Sequence, residues 1–238
     1  MIWYVALAGL LLGFGKAGIA GALGPFVTLV LVLAMPADDA LGLALPMLIF
    51  ADTFTVTAYW RAWDTKLLPV LLGAAVLGII AGPALISSLS EEWLQRFIAV
   101  AMLLFAAAYL ASRNAVRLPD GHRRWGLAAG AASGFTSTIA HSGGPPIVIY
   151  LLAVGLEPKR LVGTTVAFFA VINLIKVPGY FFAGLFDTDL IVSTLWAWVT
   201  IPIGVILGRL LVDRIDRARF ELATVTLLAA GAIVLLLT

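Results

Sequence analysis

Apolar positions along the chain gather into eight long runs, at residues 2–35, 40–60, 67–90, 93–112, 125–156, 161–183, 190–212 and 219–237, separated by short polar connections. About 20 apolar residues in a helix cross the ~30 Å hydrocarbon of a bilayer, so six of the runs each predict one transmembrane helix. The first and fifth runs are too long for that. The first contains Gly13, Gly15, Gly18, Gly21, Gly24 and Pro25, and the fifth contains Ser142, Gly143, Gly144, Pro145 and Pro146. Glycine weakens a helix and proline removes a donor, so each long run predicts two half-helices around a non-helical turn. Such turns survive at membrane depth only when buried in protein or lining a cavity. Glycine used merely to let helices pack closely is the competing reading.

An offset of 121 residues aligns the two breaks: Gly9, Gly13, Phe14, Pro25, Val27, Leu31, Gly42, Val56 and Tyr59 recur as Gly130, Gly134, Phe135, Pro146, Val148, Leu152, Gly163, Val177 and Tyr180. A composition this biased gives roughly five such matches by chance, so the register carries more weight than the count. With a five-residue insertion, Gly78 and Gly82 also align with Gly204 and Gly208. The chain therefore divides into a first repeat over 1–112, a basic linker over 113–124 and a second repeat over 125–238, each a broken segment followed by three ordinary spans.

Charge then fixes the orientation. Connections in the first repeat carry Asp38 and Asp39, then Arg61 and Lys66, then Glu91 and Glu92; their counterparts carry Lys159 and Arg160, then Asp187 and Asp189, then Arg214, Arg217 and Arg219. The sign reverses at every pair. Lysine and arginine in short loops stay cytoplasmic, so the two repeats are predicted to be inverted relative to each other. Inversion needs an odd number of crossings per repeat, which follows if each broken run is a re-entrant hairpin. The predicted fold is an all-α polytopic membrane protein of two inverted repeats, each a broken or re-entrant helical hairpin plus three transmembrane helices. Eight transmembrane helices in two four-helix repeats is the alternative. The inverted arrangement places residue 120 in the cytoplasm and residue 188 outside.

Composition agrees with a function inside the bilayer: of 238 residues 62% are hydrophobic and 12% charged, against about 25% charged in soluble domains. The absence of cysteine removes disulfides, thiolate metal sites and cysteine nucleophiles, and two histidines poorly supply a metal centre. No metal and no cofactor is expected. A net charge of +2 is explained by topology signals rather than by nucleic acid. His122 belongs with Arg123 and Arg124 in the basic linker, and the tryptophans Trp3, Trp60, Trp63, Trp93 and Trp125 fall near span ends, with Trp196 and Trp198 deeper.

Candidate chemistry concentrates between Ser133 and Pro146, SGFTSTIAHSGGPP, where Ser137, Thr138, His141 and Ser142 supply hydrogen-bonding groups and Gly143 and Gly144 expose amides. A half-helix starting near Pro145 aims its positive end at the bilayer centre, and a partner starting near Gly24 and Pro25, beside Gly21, does the same. Two such ends meeting make a site for a small anion, as in inverted-repeat transporters. Lys16 and Lys176 are ammonium groups inside apolar runs, which must face a cavity or a carboxylate rather than lipid. Asp52 and Asn173 occupy equivalent places in the two repeats. Asp52 has two readings, carrier of a coupling proton or structural partner of a lysine; Asn173 does not titrate and is a hydrogen-bond donor. An intramembrane enzyme using Ser137, His141 and Asp52 lacks any motif such as GxSxG.

The segment from Ser133 to Leu152, SGFTSTIAHSGGPPIVIYLL, with the glycine-rich start and the duplicated four-segment halves, resembles the sulfite exporter TauE/SafE family of bacterial membrane transporters. The resemblance implies export of a small sulfur-containing anion, such as sulfite, thiosulfate or a sulfonate, across the inner membrane. It adds an anionic substrate and the lipid bilayer as partners; apart from the resemblance, burial makes Asp52 and Lys176 the candidates for proton coupling or charge pairing, and titration near neutral pH gives His141 a substrate-binding or proton-linked role.

Overall fold

The computed structural model describes residues 1–86, except 20 and 22, and 123–216, with isolated positions elsewhere. Apart from those isolated positions, the runs expected at 93–112 and 219–237 lie outside the described residues, as do the 113–124 linker up to His122 and Glu91, Glu92 and Trp93. Every regular element described is helical: α1 Ile2–Gly18, α2 Gly24–Val32, α3 Ala37–Ala58, α4 Leu67–Ile86, α5 Arg123–Ala140, α6 Gly144–Val154, α7 Pro158–Phe182, α8 Thr188–Thr194, a 3₁₀ turn Leu195–Val199, and α9 Thr200–Val212. Among the described residues, three helical stretches are long and apolar enough to cross a membrane, Asp38–Ala58, Pro158–Phe182 and Thr188–Val212, beside shorter apolar helices at Ile2–Gly18, Leu67–Ala81 and Gly144–Val154.

Both long runs are broken, but the first break is narrower than its glycines suggest. Gly13, Gly15 and Gly18 all lie inside α1, and the helix stops only between Gly18 and Gly24. The reason is packing. A Cβ on Gly13 would stand 2.1 Å from the Ile201 carbonyl oxygen, and one on Gly18 would stand 2.9 Å from the Gly208 Cα, so these glycines let α1 lie directly on α9. The turn itself uses Gly21, whose φ of +80° suits glycine, and the amides of Ile19 and Gly21 close onto the Gly15 carbonyl. At about 1.5 Å per residue, α2 is ~14 Å long, half the depth of the hydrocarbon.

The second break falls at Ser142 and Gly143, and α6 starts on Gly144, Pro145 and Pro146. His141 just before it holds a left-handed φ of +51°, uncommon for a residue with a Cβ. A further interruption was not anticipated: the run over 190–212 contains the 3₁₀ turn Leu195–Val199. Its tryptophans also divide, since Trp198 is buried while Trp196 faces outward, so only one of the pair packs between helices.

Helices pack across the chain's midpoint. α1 lies along α9, α5 lies along α4, and α3 lies against α7. The α5–α4 seam is again made of glycine: a Cβ on Gly134 would stand 2.2 Å from the Ala75 carbonyl oxygen, and one on Gly78 would stand 2.0 Å from that of Ala131. In the α1–α9 seam Gly204 meets Leu10 and Phe14; in the α5–α4 seam Gly78 meets Ala131 and Phe135, positions 121 residues further on than Leu10 and Phe14. Two apolar cores result, one around Phe168, Leu161, Ile147 and Tyr59, the other around Met47, Leu43, Leu31 and Ile201.

Candidate functional site

The last four carbonyls of a helix have no partner inside it, and in an apolar interior water does not supply one. The two helices that end at the breaks meet this need alike. Tyr59, just past α3, donates its hydroxyl to the Ala17 carbonyl near the end of α1. Tyr180, in α7, donates at 3.0 Å to the Thr138 carbonyl near the end of α5. Neither tyrosine was singled out as chemistry in the sequence. Their shared 42-residue separation from the carbonyl each caps was the available signal.

Lys16 sits in the last turn of α1, where the helix dipole favours a cation. Its Nζ forms a buried ion pair with Asp52 Oδ1 on α3 and donates to the Leu48 carbonyl at 3.1 Å. The other Asp52 oxygen accepts from Asn173 Nδ2 on α7 at 2.7 Å. Of the two readings of Asp52, the geometry is that of a lysine partner. Thr55, one turn beyond, bonds its own helix at the Ala51 carbonyl.

A second network forms on the α5 side. Lys176 is 2% exposed, and its Nζ lies 3.0 Å from Ser137 Oγ, 3.2 Å from the Ser137 carbonyl and 3.2 Å from His141 Nδ1. His141 Nε2 lies 3.2 Å from the Leu41 carbonyl and 3.4 Å from the Tyr180 hydroxyl. The carbonyl can only accept, so Nε2 bears the hydrogen and Nδ1 offers its lone pair to Lys176, an assignment made from the hydrogen-bond partners. Thr138 bonds back to the Gly134 carbonyl, the Ser142 amide donates to the Thr136 carbonyl, and the Gly143 carbonyl accepts from Ser133 at 2.5 Å.

A cavity opens between the two breaks. Of the residues expected at the site, Lys16, Gly21, Gly24, His141 and Gly144 line it; Ser137, Thr138, Ser142, Gly143, Asn173, Asp52 and Lys176 do not. The rest of its wall is largely apolar, with Leu11, Leu48, Val166 and Phe169 among its members. The two tips touch, for a Cβ on Gly24 would stand 2.8 Å from the His141 carbonyl oxygen. At the start of α6 the prolines remove two of the amide donors that a helix N-terminus normally presents, leaving Gly144 as the tip amide on the wall. Gly24 already donates to the Gly21 carbonyl at 3.1 Å. Charge at the cavity therefore comes chiefly from side chains. Among the described residues no three His, Asp or Glu side chains are placed to hold a metal ion.

Two further residues were not anticipated. Arg209 on α9 stacks over the Tyr59 ring at 4.4 Å and reaches Asp213 at 3.5 Å. Asp64 caps α4 through the amides of Lys66 and Leu67, accepts Arg160 at 3.0 Å, and donates its own amide to Thr164, tying the α3–α4 connection to the start of α7. Charge counting along loops gave Asp64 no role, because it sits among the basic residues Arg61 and Lys66.

Lysines, a carboxylate and a histidine gathered at the ends of interrupted helices, in an otherwise apolar helical protein, belong to a membrane transporter. The comparison with known families makes this specific. The model of the sulfite exporter TauE/SafE family matches residues 5–235, and the chain belongs to that family. It is a membrane protein of a transporter family. No curated protein and no solved structure matches it.

Proposed function

We propose that the protein is an inner-membrane secondary transporter that exports a small sulfur-containing anion of the sulfite, thiosulfate or sulfonate class, by alternating access around the cavity between the two helix breaks. The observation that carries the proposal is the meeting of both tips at one cavity whose wall includes Lys16 and His141. A mobile anion at Lys16 competes with Asp52 for the same ammonium. Release of Asp52 makes it the group able to take a proton, which is how proton coupling would enter.

The two halves are taken as inverted repeats that rock against each other about α3 and α7. Supporting this, equivalent glycines meet equivalent partners in the α1–α9 and α4–α5 seams, and equivalent tyrosines cap equivalent helix ends.

Uptake into proteoliposomes, measured for sulfite, thiosulfate and methanesulfonate with and without an imposed pH gradient, tests the function. At least one of these anions is expected to be taken up, faster with the gradient. Changing His141 and Lys16 together to alanine is expected to abolish uptake while the protein remains monodisperse. Undiminished uptake in that variant would remove the site from this cavity.

A further inference from the structure

The buried cluster behind the cavity has a charge that can be counted. Lys16 and Asp52 cancel as a pair. Each Asp52 oxygen accepts one hydrogen bond, from Lys16 on one side and from Asn173 on the other, and neither goes to Lys176. Asn173 stands one turn before Lys176 on α7. Lys176 meets only neutral partners, the Ser137 hydroxyl and carbonyl and the His141 imidazole, and no carboxylate among the described residues is within salt-bridge reach of it.

His141 adds no charge in this arrangement, because a second ring hydrogen would point Nδ1–H at an ammonium 3.2 Å away. With the Lys176 amine protonated, the cluster therefore holds one positive charge in excess. A buried charge without a counter-ion is costly, and the cavity is one imidazole away, since His141 both contacts Lys176 and lines the wall.

Resting on the reading of this cavity as the anion site, we infer that Lys176 sets the charge of the transported species at one negative charge. It does so through its field and through His141 rather than by touching the substrate. A monoanion neutralises the cluster while Asp52 stays ionised between Lys16 and Asn173, and a proton taken up by Asp52 would enter with one further negative charge. A dianion leaves a net negative charge buried in apolar surroundings, and a neutral molecule leaves the ammonium uncompensated. Sulfite is then carried as hydrogensulfite, and sulfonates are preferred to sulfate or thiosulfate. Asp52 and Lys176 act on this count in opposite senses, the first lowering it and the second raising it.

Three tetrahedral sulfur compounds of nearly equal size but different charge test the inference: dimethyl sulfone, methanesulfonate and sulfate. Each is titrated against the purified full-length protein in detergent, in chloride-free buffer at mildly acidic pH, where sulfite is mostly hydrogensulfite, with binding read by calorimetry and sulfite as the reference ligand. The wild type is expected to bind methanesulfonate at least about tenfold more tightly than sulfate or dimethyl sulfone. Asp52→Asn is expected to move the preference toward sulfate, and Lys176→Met to erase the advantage of methanesulfonate over dimethyl sulfone. Thermal unfolding of each variant checks that it is folded, and the wild-type ranking alone decides if one is not. Sulfate binding as tightly as methanesulfonate in the wild type, or the same ranking in folded charge variants, overturns the role of Lys176 and leaves the anion site standing. Binding of neither sulfite nor either anion overturns the site as well.

Discussion

At the scale of single residues, the two tyrosine caps separate what holds the site from what works in it. Tyr59 and Tyr180 both satisfy a buried carbonyl at a helix end, and removing one hydroxyl leaves that carbonyl unpaired at a cost of about 1–3 kcal/mol. Only Tyr180 also reaches the His141 ring. Tyr59→Phe is therefore expected to lower thermal stability in detergent with substrate affinity little changed, whereas Tyr180→Phe lowers both. Equal losses of affinity in the two variants would show that the Tyr180–His141 contact contributes nothing beyond capping. Sequence reading reached Lys16, Asp52, Asn173, His141 and Lys176 because polar groups inside apolar runs are conspicuous. It could not assign their partners. Lys16 and Asp52 are 36 residues apart, and Asp52 and Asn173 are 121 apart, so which lysine the carboxylate takes is decided by helix packing.

At the scale of elements, glycines divide into those a neighbour's backbone requires and those it does not, a distinction the sequence pattern does not contain. A Cβ on Gly42 would fall 1.8 Å from the Leu185 carbonyl oxygen and one on Gly13 2.1 Å from that of Ile201, whereas Gly73 and Gly179 have nothing within 4 Å. Gly13→Ala must push α1 off α9, and overpacking of this kind costs about 1–3 kcal/mol. Gly73→Ala and Gly179→Ala gain up to ~1 kcal/mol of helix propensity. Melting temperatures in detergent are thus expected to fall for Gly13→Ala and Gly42→Ala and to hold or rise for the other two. A fall at Gly73 comparable to that at Gly13 would contradict the packing described. The same division explains why the first break is narrower than its glycines suggested: Gly13 and Gly18 serve a helix seam, while Gly21 serves the turn. The 3₁₀ turn at Leu195–Val199 was illegible for a related reason, since its own five residues are all apolar and include no proline or glycine, the nearest being Pro202 and Gly204 in the following helix.

At the scale of the whole molecule, the reversal of loop charge and the reciprocal seams bear on the same question, the relative orientation of the halves. If the halves were parallel, the α3–α4 and α8-facing connections would share a side, and Arg61 and Lys66 would lie with Asp187 and Asp189. The inverted arrangement puts them on opposite sides, and it puts Arg160 with Asp64, whose contact at 3.0 Å joins the α3–α4 connection to the start of α7. Because the chain has no cysteine, single cysteines can be introduced without background. Thr65 and Thr188 are both exposed, the first beside Asp64 and the second at the start of α8. In sealed inside-out vesicles a membrane-impermeant maleimide is expected to label Thr65→Cys and not Thr188→Cys, and in intact spheroplasts the reverse. Labelling of both from one side would require an even number of crossings between α3 and α8, and with it the eight-helix arrangement in place of two re-entrant breaks.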